Sequence, residues 1–521
     1  MQRLNDHSAS ARCSGPPAWT KFDSALAVVG LLLIGSTING MFSNSTWNWW
    51  VWNADALGHF TLATDLFRGG DLTNWHLGNN AYFLPDLAYS AASLALTPSI
   101  EFAIVANAVA QLGTLFAVIW LFGRASNHSS PLRLGVVTSS IITALTASVG
   151  EPYVLTIVSH HHMGAFLGGL FVLSILIHPS WSFLAKVITI WVTCFALGLS
   201  DDLFIVVYAI PVALLATVQL DTPLQERLTL TTSVVAASIV GKVFLLVLPI
   251  TTNTTSTSLT LSGITDRLGA LVDELIFNPS RWPIFGAVSV LFTIVAVFAE
   301  VADVITGKKW HRLPDSRPLV AFLAGSSLAA SIPLLLGAQG QISERYMISV
   351  FLVPIMIGSY HLTSSSTVAR FTLIACPLGV TFCLSWFPTD STVGPWHPWN
   401  DNLDCVGIEL NTTESKMIVT QYWDTHLLTL RAGEGQKFAQ HLSSGEPYVQ
   451  VTSTEWYSPD GWYDAVILSS YAGPAHTFSP DQFVTKSGSP ISSKTCGPWT
   501  VLTTSADSLG FSATHLEGEQ S

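Results

Sequence analysis

The residues best equipped for chemistry gather between Trp47 and Tyr89. This stretch carries four aspartates (Asp55, Asp65, Asp71, Asp86), two histidines (His59, His76) and the aromatic run Trp47, Trp49, Trp50, Trp52. In NADALGHFTLATDLF, Asp55 and His59 lie four residues apart and share one face of a short helix. Leu62 and Leu66 continue an apolar side of similar pitch. A carboxylate held there at a membrane surface can deprotonate an acceptor hydroxyl, or bind a metal ion that does so. The blander reading is a capping or solvated aspartate. The tryptophans read as interfacial anchors. Asp86 follows Pro85 in the first turn of a helix, where capping alone explains it, but it is also a candidate second catalytic acid.

Other candidates lie far apart in the chain. Ser159-His160-His161-His162 places three histidines in a row. They point in different directions along a helix and cannot all bind one metal, so His161 is placed with the substrate-binding residues. Ser200-Asp201-Asp202 puts two adjacent acids at the end of an apolar segment, where charge at membrane depth is costly and usually functional. Asp201 and Asp202 are expected to orient a sugar or hold a cation. Lys242 and Arg345, the latter within Glu344-Arg345-Tyr346, are cations suited to a lipid-linked phosphate; snorkelling explains Lys242 nearly as well, and pairing with Glu344 is the alternative for Arg345. No Walker A loop, GxGxxG turn, GxSxG elbow or CxxC pair occurs, so ATP-driven transport and soluble-type hydrolase chemistry have no support.

The elements that must position these residues follow from composition. The chain has 521 residues, of which 49% are hydrophobic and 11% charged, and its mean hydropathy is +0.46. Soluble proteins carry about 25% charged residues, so this is a polytopic membrane protein. A spanning helix needs about 20 apolar residues. About eleven segments approach that rule: Ser24–Phe42, Ile100–Phe122, Leu134–Val149, Met163–Ile177, Phe183–Leu199, Leu203–Leu220, Leu228–Ile250, Ile284–Val304, Leu319–Leu336, Met347–Tyr360 and Phe371–Phe387. With the N-terminus inside, twelve basic residues fall in inner loops and only Arg68, Arg267, Arg281 and Arg345 in outer ones. Residues 1–23 then form a cytoplasmic tail and 43–99 a long first outer loop within a membrane domain of 24–387. The net charge of −12 offers no basic tract for nucleic acid.

Residues 388–401 read as a Pro/Trp-rich interfacial linker, and 402–521 as an extracytoplasmic domain. Lys416–Tyr422, Tyr448–Thr452, Tyr463–Ser469 and Trp499–Thr503 pattern as strands, and Asp424–Arg431 and Ser479–Lys486 as short helices. The alternation favours a small α/β domain, with an all-β carbohydrate-binding module as the competing assignment. Cys405 and Cys496 are its only cysteines, and on the far side of a membrane they are expected to pair.

This layout resembles the GT-C glycosyltransferases, polytopic enzymes that use polyprenyl-phosphate-linked sugars. Asp55 matches the position of that family's first-loop catalytic acid, and Arg345-Tyr346 is similar to an Arg-Tyr pair at the outer start of a late span. Many members carry paired acids in the first loop. Here Asp55 is flanked by Ala54 and Ala56, so Asp86, Asp201 or Asp202 would supply a second carboxylate. The resemblance implies an inverting transferase in a bacterial inner membrane. Its donor would be a polyprenyl-phosphate sugar and its acceptor a glycan, lipid or protein. A divalent cation, magnesium or manganese, is the one cofactor such chemistry would use. The alternatives are a lipid-linked glycan export component and a polysaccharide polymerase or ligase.

Overall fold

The computed structural model describes residues 51–252 apart from 53, 79, 98, 150–152, 159–161 and 219–221. It also describes 348–364, 397–512 apart from 432–434, 471–477 and 505–508, and parts of 21–35 and 318–329. The expected spans Ile284–Val304 and Phe371–Phe387 lie outside the described residues.

After helix α1 (Ala54–Phe67) and strand β1 (Trp75–Leu77), the chain runs through α2 (Ala88–Leu96), α3 (Ile100–Ala125), α4 (Pro131–Val149), α5 (Met163–Ile177), α6 (Phe183–Ser200), α7 (Ile210–Val218) and α8 (Leu224–Val247). Among the described residues α3, α6 and α8 are long and apolar enough to cross a membrane. Helix α5 is apolar all round, and all but its last two turns' Phe171 and Ile177 are buried, as expected of a helix enclosed by others. By contrast α6 exposes Leu184, Ile188 and Val192, and α8 exposes Ile239, Val243, Leu246 and Val247. Apolar stripes of this extent on long helices suit lipid rather than water. The two helices cross closely because each contributes a glycine at the contact. A Cβ on Gly198 would lie 2.2 Å from the Ser238 carbonyl oxygen, and one on Gly241 2.2 Å from that of Phe195. Small residues at membrane helix crossings serve this purpose.

Helices α9 (Ile348–Ser364) and α10 (His397–Thr412) follow, and then an α/β unit. Its strands are β3 (Met417–Gln421), β4 (Lys437–His441), β6 (Ala465–Ser469), β8 (Ile491–Cys496) and β9 (Trp499–Thr504), in the order β4-β3-β6-β9-β8. β3 runs parallel to β4 and β6, while β9 is antiparallel to β6 and β8. Side chains alternate between the faces of a strand. Ile418, Phe438, Ile467 and Val501 accordingly join the main core, while Val419, Ala439, Val466 and Leu502 join a separate cluster with Phe478, Phe483 and Leu509. Both faces are covered, which is why β6 reads as an unbroken apolar run. The expected helix over Ser479–Lys486 is instead one turn at Pro480–Gln482 followed by strand β7 (Phe483–Thr485), paired with β10 (Leu509–Phe511). Phe483 needs the period-two spacing to reach that cluster. The expected strand over Tyr448–Thr452 shrinks to β5 (Thr452–Ser453).

Cys405 on α10 and Cys496 at the end of β8 form a disulfide, with a Cα–Cα distance of 5.7 Å. It closes a segment of 91 residues, so chain entropy alone favours the folded state by about 3–5 kcal/mol. Replacing both cysteines with serine is expected to lower the unfolding free energy of this domain by that amount. Denaturant titration followed by tryptophan fluorescence checks it.

Candidate functional site at the junction of the first loop and the C-terminal domain

Three parts of the chain meet at one small sheet. β1 pairs in parallel with β2 (Thr251–Thr252), which follows α8, and antiparallel with β5 of the C-terminal unit. Thr454 Oγ1 donates to the Asn74 carbonyl at 3.2 Å, and Asn74 Nδ2 donates to Glu455 at 2.6 Å. An ion pair between Arg431 and Glu101 joins the end of α11 (Tyr422–Arg431) to the start of α3. The C-terminal unit is thus clamped onto the first loop rather than tethered beside it.

Helices α1 and α11 pack face to face with their histidines in step. Asp55 and His59 are one turn apart on α1; Tyr422 and His426 are one turn apart on α11. The Tyr422 hydroxyl donates a short hydrogen bond to Asp55 Oδ1. An added Cβ on Gly58 would lie 2.7 Å from the Val451 side chain and 3.7 Å from His426 Nε2, so only glycine allows this approach. Asp424 holds α11 in place: its carboxylate accepts from Trp499 Nε1 at 3.1 Å and from Gln421 Nε2. Burial pushes its carboxyl above the usual range.

His59 and His426 are both buried. Burial lowers His59 to about 4, partly offset by a hydrogen bond with the Ala81 backbone, and lowers His426 to about 3, helped by the neighbouring His59. The unfolded chain binds these protons near pH 6.5 whereas the folded chain takes them only near pH 4 at His59 and pH 3 at His426. Stability therefore falls as pH drops from about 6.5 to about 3, by a few kcal/mol in the order of magnitude. Proteolytic protection of the α1–α11 contact should decline across that window, and less steeply in His426→Gln.

A second cluster sits one residue contact further in. The His59 ring meets the edge of Tyr82 at 5.8 Å between centroids. Tyr82 Oη lies 3.1 Å from His162 Nε2, and His162 Nδ1 lies 2.7 Å from Asp201 Oδ2. A carboxylate only accepts, so His162 Nδ1 carries a proton directed at Asp201. All three side chains are at most 5% exposed. Asp201 Oδ1 also accepts from the Leu203 N–H at 2.9 Å. The segment holding Tyr82 is broken: Leu84 is extended (φ −130°, ψ 131°) between helical neighbours. The end of α6 satisfies its freed amides. Tyr82 N–H donates to the Ser200 carbonyl at 2.8 Å, and Leu84 N–H to Ser200 Oγ at 3.0 Å.

Backbone strain marks the same place. Tyr82 (φ 47°), His162 (φ 63°) and Val451 (φ 50°) all adopt left-handed conformations. This is costly for bulky residues, and most of all for a β-branched one. The other two non-glycine cases among the described residues, Asn127 and Glu414, follow helix ends where such turns are ordinary.

Asp55, His59 and Asp201 thus belong to one junction. Asp86 is buried close by, accepting from Gln111 Nε2 at 3.4 Å, and an added Cβ on Gly164 would come 3.3 Å from its Oδ2. Asp202 does not join Asp201. It is half-exposed and pairs with Lys242 at 2.6 Å, and its N–H donates to Asn80 Oδ1 at 2.9 Å. The adjacent carboxylates face different partners because Asp201 caps the end of α6 and Asp202 lies one residue beyond it. Trp52, expected at a membrane interface, is buried in the core; it packs with Val51 and α1. His161, Glu344, Arg345 and Tyr346 lie outside the described residues, as do Trp47, Trp49 and Trp50. Among the described residues no three His, Cys, Asp or Glu side chains converge on one point as metal ligands. Tyr82, His162, Tyr422 and Val451 were missed. The run of three histidines was the one signal toward His162; nothing local singles out the others. No known family and no characterised protein matches the chain.

Proposed function

We propose that the protein is a membrane glycosyltransferase that moves a sugar from a polyprenyl-phosphate donor to the hydroxyl of a glycan, glycolipid or protein acceptor at the extracytoplasmic face. One observation carries this reading. Asp55, on the first loop after the expected first span, accepts a hydrogen bond from a hydroxyl group, that of Tyr422. A carboxylate so placed can take an acceptor's proton as its oxygen attacks the anomeric carbon and the phosphate departs. The buried Asp201–His162–Tyr82 chain stands beside it as a proton-holding group oriented from behind, on the logic of a base fixed by a second acid. Lys242, paired with Asp202, is the cation this reading assigns to the donor phosphate. The bias of basic residues toward one set of loops supports a cytoplasmic N-terminus and an outward C-terminal domain.

The test is direct. Purified protein in lipid nanodiscs is given radiolabelled polyprenyl-phosphate sugars with cell-envelope extract as acceptor. Protein-dependent transfer of label is the expected result. No transfer from any donor, with protein whose Cys405–Cys496 disulfide and unfolding transition are intact, turns the reading toward glycan export.

A further inference from the structure

We propose that Tyr422, Trp423 and Tyr448 form an acceptor-sugar platform beside Asp55, so that the C-terminal domain supplies half of the active site and its ligand is the ring face of a pyranose. This inference rests on the transferase reading and adds to it the location and chemistry of the acceptor subsite.

The three rings make a corner. Tyr422 meets Trp423 at 4.9 Å between centroids and 65° between planes, and Tyr448 at 5.1 Å and 82°. Tyr422 is nearly buried, while Trp423 and Tyr448 remain half-buried and so keep surface for a ligand. A sugar ring carries C–H groups on its face and hydroxyls on its rim. It therefore suits aromatic walls with a few convergent polar groups. Those groups are present: the Asp55 carboxylate at the Tyr422 hydroxyl, and the Gln450 side chain, whose Oε1 accepts from the Tyr448 hydroxyl.

The corner is held by hydrogen bonds within the C-terminal domain. Tyr448 N–H donates to the Gln440 carbonyl at 2.9 Å, and the Tyr448 carbonyl accepts from the Tyr457 hydroxyl at 2.8 Å. Gln440 Nε2 donates to the Gln450 carbonyl. Val451 then takes its left-handed conformation and seats its side chain against Gly58 and Gly78 of the first loop. A strained β-branched residue held against two glycines keeps the Tyr448–Gln450 segment over α1. The Tyr422 hydroxyl marks a position at Asp55 that a hydroxyl group can fill.

The experiment uses the full-length protein in nanodiscs, titrated with trisaccharides of glucose, mannose, galactose and N-acetylglucosamine and read by saturation-transfer NMR. At least one trisaccharide is expected to bind, with signal on ring protons. Trp423→Ala with Tyr448→Ala should weaken it about tenfold, the scale of losing an aromatic anchor. Trp423→Leu, which keeps apolar volume without a ring face, reads the same loss if the alanine variant does not fold. Trp423→Phe should retain binding. Unchanged binding in the ring-deleted variants, or no trisaccharide binding to wild type, overturns the platform whether or not transfer is seen. Ring-dependent binding without transfer from any donor supports the platform and removes the transferase reading instead.

Discussion

Asp55→Asn is expected to reduce sugar transfer by about a hundred- to ten-thousand-fold while leaving the fold intact, because general-base catalysis contributes on that scale. Asparagine keeps the size of the side chain and still accepts the Tyr422 hydrogen bond through its carbonyl oxygen, so the α1–α11 contact survives. What it cannot do is take a proton. The variant should therefore unfold with wild-type cooperativity and remain locked to the C-terminal domain, as judged by proteolysis. Tyr422→Phe removes the hydroxyl but not the ring, and its loss should be smaller, since the carboxylate remains. If Asp55→Asn transfers at the wild-type rate, the base lies elsewhere in the junction, and the Tyr82–His162–Asp201 chain becomes its place. Comparing single-turnover rates of the two variants separates the outcomes.

The second large effect concerns stability. Asp201→Ala is expected to destabilise the protein by about 2–4 kcal/mol, because it leaves one buried and one part-buried donor without acceptors. One is His162 Nδ1–H and the other the Leu203 N–H, both of which the carboxylate now receives. Asp201→Asn should cost less, since its oxygen can still serve one of them. It also presents an N–H toward His162, which drives the ring proton to the other nitrogen and breaks the orientation toward Tyr82. Thermal unfolding of wild type, Asp201→Ala and Asp201→Asn in the same nanodiscs gives the ranking. An alanine variant as stable as wild type shows that water or a neighbour takes over both donors. The chain would then be a solvated feature rather than an oriented one.

What the bare sequence makes legible here depends on how far each signal reaches along the chain. Asp55 and His59 are visible because a four-residue spacing is a local property of one helix. β3, β6 and β9 are visible because their alternation, or their unbroken apolar run, is local too. Cys405 and Cys496 are visible because only one pairing is open to them in that domain. The site's remaining members are set by long-range contacts. Tyr422 matters through Asp55, and Val451 through Gly58, whose identity means nothing until a second helix is laid against it. Tyr82 and His162 sit in left-handed conformations that no propensity predicts, since the surrounding packing imposes them. Asp201 and Asp202 face different partners for a related reason. Adjacency in sequence does not bring two side chains to one point where a helix has just ended.

The small sheet of β2, β1 and β5 has a consequence for how the molecule comes into being. Its middle strand is made early, and one of its partners only when synthesis is nearly complete. Contacts of such long sequence separation close late and slowly. Until Tyr422 arrives, Asp55 lacks its hydrogen-bond partner, and until Thr452 and Ser453 arrive, β1 keeps one open edge. The junction that joins α1 to the C-terminal unit is therefore complete only late in synthesis.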